Sequence, residues 1–416
     1  MILGSESMNY NEALDYIHSI PKFRRPLGNA NLQKLLSVLG NPHRGLKYIH
    51  IAGTNGKGSC AAMLTSVLSA SGYKTGMYTS PFIEVFNERI QINRTLISDS
   101  DLVRITEKVK NAMEDSDALV SEFAFITAMA FVYFNEQKCD CVVLETGMGG
   151  KLDATNVIED TVLSVIMSVS LDHTQFLGET IEEIAVEKCG IIKENSSVVS
   201  YPNEAVRDII KREAVSKNAQ LVFSKYSKPV GDGFEYNGKF YELSLKGTYQ
   251  PDNAAVVLEA VNILNKKGFD ISEESIKYGL KNTSWPARFE YIRENVIIDG
   301  GHNEDGIQAL KKSLQNIGKD VIAVIAMMED KNYELCATEI AKASRKVIIT
   351  EVGIARSLSA DRLGAVVKKT GVMCEIIPDI KTAVESAIRQ AGENEVVCVC
   401  GSLYLAGEVR KMFSNT

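Results

Sequence analysis

Short apolar runs of strand length alternate along this chain with stretches of helical period. KYIHIAG, KTGMYTS, CDCVVLETG, TVLSVIMSV, SSVVSY and AQLVFS read as strands, and NLQKLLSVL, DLVRITEKVKNAM and EEIAVEKCGIIK as helices. Such alternation predicts a mostly parallel sheet covered by helices. Near 230–246 the pattern changes: GDGFEYNGKFYELSLKG alternates on both sides of an Asn-Gly turn, which predicts an antiparallel hairpin at the end of the first domain. The segment 282–292, NTSWPARFEYI, holds the only Trp and a Pro. After it the alternation restarts with NVIIDGG, DGIQALKKSLQNI, DVIAVIAMM, YELCATEIAKA, KVIITEV, AVESAIRQ and EVVCVCG. A boundary is expected at 285–295, with one domain over 1–287 and a smaller one over 288–416.

Composition narrows the class further. At 416 residues the chain exceeds what one hydrophobic core sustains, so two or three domains are expected. The net charge of −7 argues against a nucleic-acid surface, which needs clustered Lys and Arg. The stretch MILGSESMNYNEALDYIHSI has neither a basic start nor an apolar core, and no later apolar run nears the roughly 20 residues of a membrane helix. A cytoplasmic protein without a membrane partner is expected. Cys139/Cys141 and Cys398/Cys400 have spacing two inside apparent strands, which puts each pair on one sheet face. Buried reduced thiols, rather than zinc ligands, are expected there.

Three stretches carry candidate chemistry. In YIHIAGTNGKGSCAAML, residues 48–64, a strand runs into a glycine loop and then a helix. The glycines let backbone N–H groups turn toward an anion, the helix N-terminus adds partial positive charge, and Lys57 can neutralise outer phosphate oxygens. Gly58 stands where a hydroxyl residue normally follows the Lys, and the hydroxyl arrives one position later at Ser59. In CVVLETGMGGKLDATNVI, residues 141–158, a strand ends at Glu145, where a parallel sheet presents ligands and a carboxylate suits magnesium. Asp153 and Asn156 in the following loop equally suit turns. In SVSLDHTQFLGETIEEIAVEKCGIIK, residues 168–193, Asp172 and His173 are expected at a strand end. Lys188 falls on a helix among Ile184, Ala185, Cys189 and Ile191. Residue type alone gives it only a stem on apolar surface and a charge that reaches water.

With YTSPFIEVFNERIQI (78–92), EFAFITAMAFVYF (122–134), PARFE, DGGHN and GSLYLAGEVR, these stretches resemble, in order, the folylpolyglutamate synthase/dihydrofolate synthase family, a relative of the muramyl-peptide ligases. The resemblance implies an α/β fold in which a phosphate-loop NTPase-like, mostly parallel sheet domain precedes a smaller Rossmann-like domain. It implies an ATP-dependent ligase that joins L-glutamate to a folate, tetrahydrofolate or dihydropteroate, through an acyl phosphate. ATP would be held by Gly53, Thr54, Asn55, Gly56, Lys57, Gly58 and Ser59, with Asn253 at the adenine, Arg288 at phosphate and Asp299 at the ribose. Two magnesium ions would be ligated by Ser59, Glu145, His173 and Lys188, the last as a carbamate. His302 would join Lys57, His173 and Lys188 as the catalytic set. Ser80, Pro81, Phe82, Arg89, Phe123, Thr127 and Asp153 would line the folate site, and the second domain would bind L-glutamate. A monomer is expected.

Several positions depart from the family's pattern: Phe82 replaces His, Arg94 and Ala287 stand at usual glycines, and Asn332 replaces an acid. Phe123 would be core by default as a residue of an apolar helix. The alternative is a muramyl-peptide-type ligase, whose usual extra amino-terminal domain finds too little room before Gly53. MILGSES precedes a Met8 that resembles the family's usual start and reads as an extension.

Overall fold

The computed structural model describes residues 8–22 and 28–414, and MILGSES lies outside them. The first sheet has eight strands: β1 (Tyr48–Ala52), β2 (Thr75–Tyr78), β3 (Ile90–Ile92), β4 (Thr95–Leu96), β5 (Cys141–Glu145), β6 (Leu163–Ile166), β7 (Ser197–Ser200) and β8 (Gln220–Phe223). Their order is β4-β3-β2-β5-β1-β6-β7-β8. Every pairing is parallel except β2 with β3 and β3 with β4, which form an antiparallel edge. Apolar residues of β1 and β5 alternate between two cores: Tyr48, Val142 and Leu144 face one, Ile49, Ile51, Cys141 and Val143 the other. Burial of both faces is why these strands read as continuous apolar runs.

The predicted hairpin forms from β10 (Gly233–Tyr236) and β11 (Lys239–Glu242), joined to β9 (Lys228–Val230) in a separate three-stranded sheet. Asn237 and Gly238 turn it with φ of 47° and 78°, the left-handed pair a two-residue turn needs. The hairpin does not end the domain. Helices Gln250–Lys266 and Glu273–Lys281 follow it and pack back on helix Lys57–Ala70. Gly279 permits this approach, since a Cβ there would meet Val67 at 2.6 Å.

Two expectations shift. The helix predicted from EEIAVEKCGIIK stops at Cys189, because Lys151 crosses so closely that a Cβ on Gly190 would lie 2.4 Å from its Cα. Cys139 falls just before β5, so only Cys141 of that pair lies in a strand. Seven of the eight thiols are buried, Cys374 being the partly exposed one.

The second sheet contains β12 (Glu290–Arg293), β13 (Val296–Ile298), β14 (Asp320–Ile325), β15 (Lys346–Ile349), β16 (Met373–Ile376) and β17 (Glu395–Cys400) in the order β12-β13-β17-β14-β15-β16. All pairs are parallel except β12 with β13. The stretch FEYI from the expected linker thus supplies an edge strand of this sheet. Separate apolar clusters cover its two faces. Helix Leu403–Ser414 reaches back to the first sheet's loop after β2: a Cβ on Gly407 would lie 2.1 Å from the Ile83 carbonyl oxygen. Arg410 there pairs with Glu84 and, 3.0 Å away, with Glu290 of β12. Among the described residues no helix is long and apolar enough to cross a membrane.

Candidate functional site

The carboxyl end of β1 opens into the glycine loop, and helix Lys57–Ala70 begins at its far side with Gly56 in the left-handed region at φ 83°. A Cβ on Gly56 would lie 2.7 Å from Asn253 Oδ1, and one on Gly58 would lie 2.7 Å from Trp285 Nε1. That indole explains why a glycine replaces the usual hydroxyl residue. The loop is tied to the segment after β6: the Thr54 amide donates to Ser168 O at 2.6 Å, and Thr54 Oγ1 to Ser170 O at 3.0 Å. The Lys57 ammonium folds over the loop, 3.0 Å from Gly53 O and 3.1 Å from Thr54 O.

Around this loop gather the charged candidates. Glu145 ends β5, is 4% exposed, and accepts the Ser80 N–H at 3.1 Å through Oε2. Burial raises its carboxyl while Lys57 opposes the rise. Lys188 is 3% exposed, so it is not the surface lysine that residue type suggests. Its amine has no hydrogen-bond partner among the described residues. Burial, and then the Lys57 charge, push it down to about 7. What buries it is the loop after β5, since a Cβ on Gly150 would touch the backbone of Glu187 and Lys188 at 2.6–2.8 Å.

Asp172 and His173 are not at the end of β6. They lie beyond it in a loop, with His173 left-handed at φ 51° and starting the short helix Thr174–Leu177. Burial lowers the His173 pKa, which favours the neutral imidazole that ligates metal, while the neighbouring Asp172 opposes the fall. Among the described residues no three His, Cys, Asp or Glu side chains converge on one point. The expected magnesium set contains only two such residues, and Ser59 and Lys188 are its other half. Its fit rests on Glu145, whose Oε1 makes no hydrogen bond among the described residues, and on Lys188, whose side chain is buried and makes none there either.

The second sheet presents its carboxyl-end loops to this site. Asp299 is 3% exposed and accepts from Tyr249 Oη at 3.0 Å, Phe289 N at 2.8 Å and Gly301 N at 2.7 Å. It therefore organises the linker besides any nucleotide contact. His302 donates from Nδ1 to Gly300 O at 2.8 Å, which leaves Nε2 as an acceptor, and burial lowers its pKa to about 4. Asn55 meets Asn303 and Asp305 from the other domain at 3.2 and 3.0 Å. Asn332 donates to Glu304 Oε1, a contact the usual acid would turn into repulsion.

The folate candidates form a second group beside β2. Phe123 is half-buried and packs on the backbone of Gly147, just past Glu145, while Phe125 is the true core residue at 0% exposure. Thr127 meets Tyr78 Oη at 3.2 Å. The Arg89 guanidinium lies 5.5 Å from the ring centroids of both Phe82 and Phe86, which are themselves 5.9 Å apart. Ser80 and Pro81 are joined by a cis bond beside Glu145. Asp153 differs: it accepts from Met148 N and Thr155 N and Oγ1 within its own loop, a structural role the resemblance did not imply.

Reasoning from residue type misses Gln250, which is fully buried, donates to Ser59 Oγ at 3.1 Å, and accepts from Asn253 at 3.1 Å. It also misses Lys331 and its contact with Asp172. Nothing local marks either residue. The linker departures have visible accommodations. Ala287 is left-handed at φ 55°, which explains a usual glycine. Arg94, at φ 67°, spends its guanidinium on Ser284 O at 2.7 Å and Asn282 O at 3.2 Å.

Residues 51–261 match the Mur ligase middle domain and 287–403 the Mur ligase glutamate ligase domain. The chain is 36% identical to the dihydrofolate synthase/folylpolyglutamate synthase of Bacillus subtilis, over 97% of this chain and 98% of that one. It is also 36% identical to the folylpolyglutamate synthase of Lacticaseibacillus casei, with the same coverage. Among solved structures, an FPGS-AMPPCP complex is 33% identical with a TM-score of 0.84, over 98% of this chain and all of that one. Escherichia coli FolC in complex with DHPP and ADP is 26% identical with a TM-score of 0.88, over 98% of both. The chain belongs to the folylpolyglutamate synthase/dihydrofolate synthase family of Mur-type ligases.

Proposed function

We propose that this protein is an ATP-dependent ligase that forms an amide between a folate carboxylate and the amino group of L-glutamate. The observation that carries the reading is Lys188: a second lysine buried beside a phosphate loop, with no hydrogen-bond partner among the described residues and a pKa lowered to about 7. A phosphate loop alone would suit a kinase or ATPase equally. A buried neutral amine can instead take up carbon dioxide, and the resulting carbamate is an anionic oxygen pair suited to magnesium.

The loop amides and Lys57 hold the ATP phosphates, with Asn253, Arg288 and Asp299 on the nucleoside and phosphate. Ser59, Glu145, His173 and carbamylated Lys188 would hold two magnesium ions. Bound there, magnesium would screen the two anions that must meet when a carboxylate attacks a phosphate. Lys57 adds positive charge where the transferring phosphoryl group becomes more negative. The folate lies along Ser80, Pro81, Phe82, Arg89, Phe123 and Thr127, which brings its carboxylate to the Glu145 side of the loop. The unit after residue 287 brings L-glutamate, and the free Nε2 of His302 faces the reacting centre. A cytoplasmic monomer suits this chemistry.

Purified protein with ATP, magnesium and L-glutamate, given either tetrahydrofolate or dihydropteroate, tests the reading with products identified by mass. A gain of one glutamyl unit with release of phosphate is expected. ATP turnover without a glutamylated product from either substrate would overturn it.

A further inference from the structure

We infer that Arg89 receives the α-carboxylate of a glutamate already borne by the folate, so that this side chain separates glutamylated folates from dihydropteroate. The inference rests on the folate-ligase reading above. Arg89 Nε and Nη1 are buried and have no hydrogen-bond partner among the described residues. No carboxylate pairs with the guanidinium there either. Its central carbon lies 5.5 Å from the ring centroids of both Phe82 and Phe86. Aromatic rings attract a cation but accept none of its in-plane N–H bonds. What they leave open is the planar fork, whose geometry matches a carboxylate. Arg89 is half-buried, but two buried N–H groups without partners are costly, and a bound anion would remove that cost.

Position decides which carboxylate. The Thr79 amide donates to Arg89 O at 3.1 Å, so Arg89 sits beside the residue preceding Ser80, whose own amide bonds Glu145. Tyr78 and Leu144 are in register on the neighbouring strands β2 and β5, about 4.8 Å apart. Arg89 therefore flanks the strand end that carries Glu145 without occupying it. In a glutamyl folate two methylenes separate the terminal carboxylate from the α-carbon that bears the other. A γ-carboxylate reacting beside Glu145 leaves its α-carboxylate on this flank. Dihydropteroate has only the reacting carboxylate and offers Arg89 nothing.

The test pairs a protein change with a substrate change. KM and kcat are measured for wild type and Arg89→Gln with tetrahydrofolate, with its α-carboxamide analogue and with dihydropteroate, and far-ultraviolet circular dichroism reports the fold. Wild type should show a KM about tenfold or more higher for the carboxamide than for the acid, the scale of a charged hydrogen bond. Arg89→Gln should not distinguish the two, and its KM should rise less for dihydropteroate than for tetrahydrofolate. Equal use of acid and carboxamide by wild type overturns the inference without any variant. An Arg89→Gln loss of the same size on dihydropteroate also overturns it, placing Arg89 at the pterin or in the fold. Absence of any glutamylated product with wild type would instead sink the ligase reading itself.

Discussion

Lys331 Nζ lies 2.6 Å from Asp172 Oδ1, joining a loop of the second sheet to the loop that carries His173. The two side chains are only 12% and 10% exposed, and Asn303 donates to the other Asp172 oxygen at 2.9 Å. Burial alone would raise the Asp172 carboxyl, but His173 and Lys331 outweigh it and hold the group well below the usual carboxylate range. Removing one partner of such a pair strands the other charge, at a cost of about 3–5 kcal/mol. Lys331→Ala should therefore favour separated domains and lower turnover by about tenfold or more. Small-angle scattering with and without an ATP analogue reads the first effect. A variant with wild-type scattering and wild-type turnover would deny the contact any part in closure.

Lys57→Ala should leave the fold intact, because among the described residues the ammonium hydrogen-bonds only two carbonyls of its own loop. Turnover should drop by about a hundredfold or more, the scale of losing one preorganised charge from a transition state. Thermal unfolding controls for stability. Near-normal product formation would remove the loop lysine from the mechanism.

Lys188→Ala should be poorly active, and a short-chain carboxylic acid filling the vacated space should restore part of the activity. Carbamate formation consumes the neutral amine. With the amine at about 7, wild-type activity in buffer depleted of carbon dioxide should fall further as pH drops below 7, where the ammonium dominates. Added bicarbonate should recover it more fully at pH 8 than at pH 6. Full activity of Lys188→Ala without added acid would end the carbamate reading.

A methyl group on Gly58 would meet three atoms of the Trp285 ring at 2.7–3.0 Å. Overpacking of this kind costs about 1–3 kcal/mol. Gly58→Ala should lower the unfolding free energy by that amount, and pairing it with Trp285→Phe should return part of it. Strict additivity in denaturant unfolding would show that the two side chains do not meet.

Arg94→Gly exchanges two effects. Glycine removes a left-handed strain of about 1–2 kcal/mol at φ 67°, while the bonds to Ser284 and Asn282 are lost. The unfolding midpoint should move little, but amide exchange over 282–286 should speed up. Unaltered exchange there would mean that the arginine does not restrain the linker.

The glycine loop and Glu145 are legible in the sequence because their signals are local: a strand, the glycines that follow it, and a carboxylate at a strand end. Lys188 is not, since its burial comes from Gly150 and Lys151 crossing its helix, and residue type predicts the opposite. Asp172 and His173 are misplaced by the sequence because the apolar run of β6 grades into SVSL without a break signal. Strands β12 and β16 escape notice for a related reason: their residues are half-exposed or exposed, so no apolar run marks them. Gln250 bonds a serine far away in the chain, and no spacing rule can reveal it. Asp153 shows the converse, a polar residue whose side-chain bonds all serve its own loop.

The approach of Gly407 to Ile83, with Arg410 bridging Glu84 and Glu290, also has a meaning for synthesis. On a ribosome the first sheet and its helices emerge and can close around their two cores well before helix Leu403–Ser414 exists. The loop after β2 gains its contact with that helix only then. Its neighbour Ser80 belongs to the site that faces Glu145, so the last helix braces that wall only after the phosphate loop has been made. A growing polypeptide is thereby kept from assembling the whole reaction centre before its second sheet has formed.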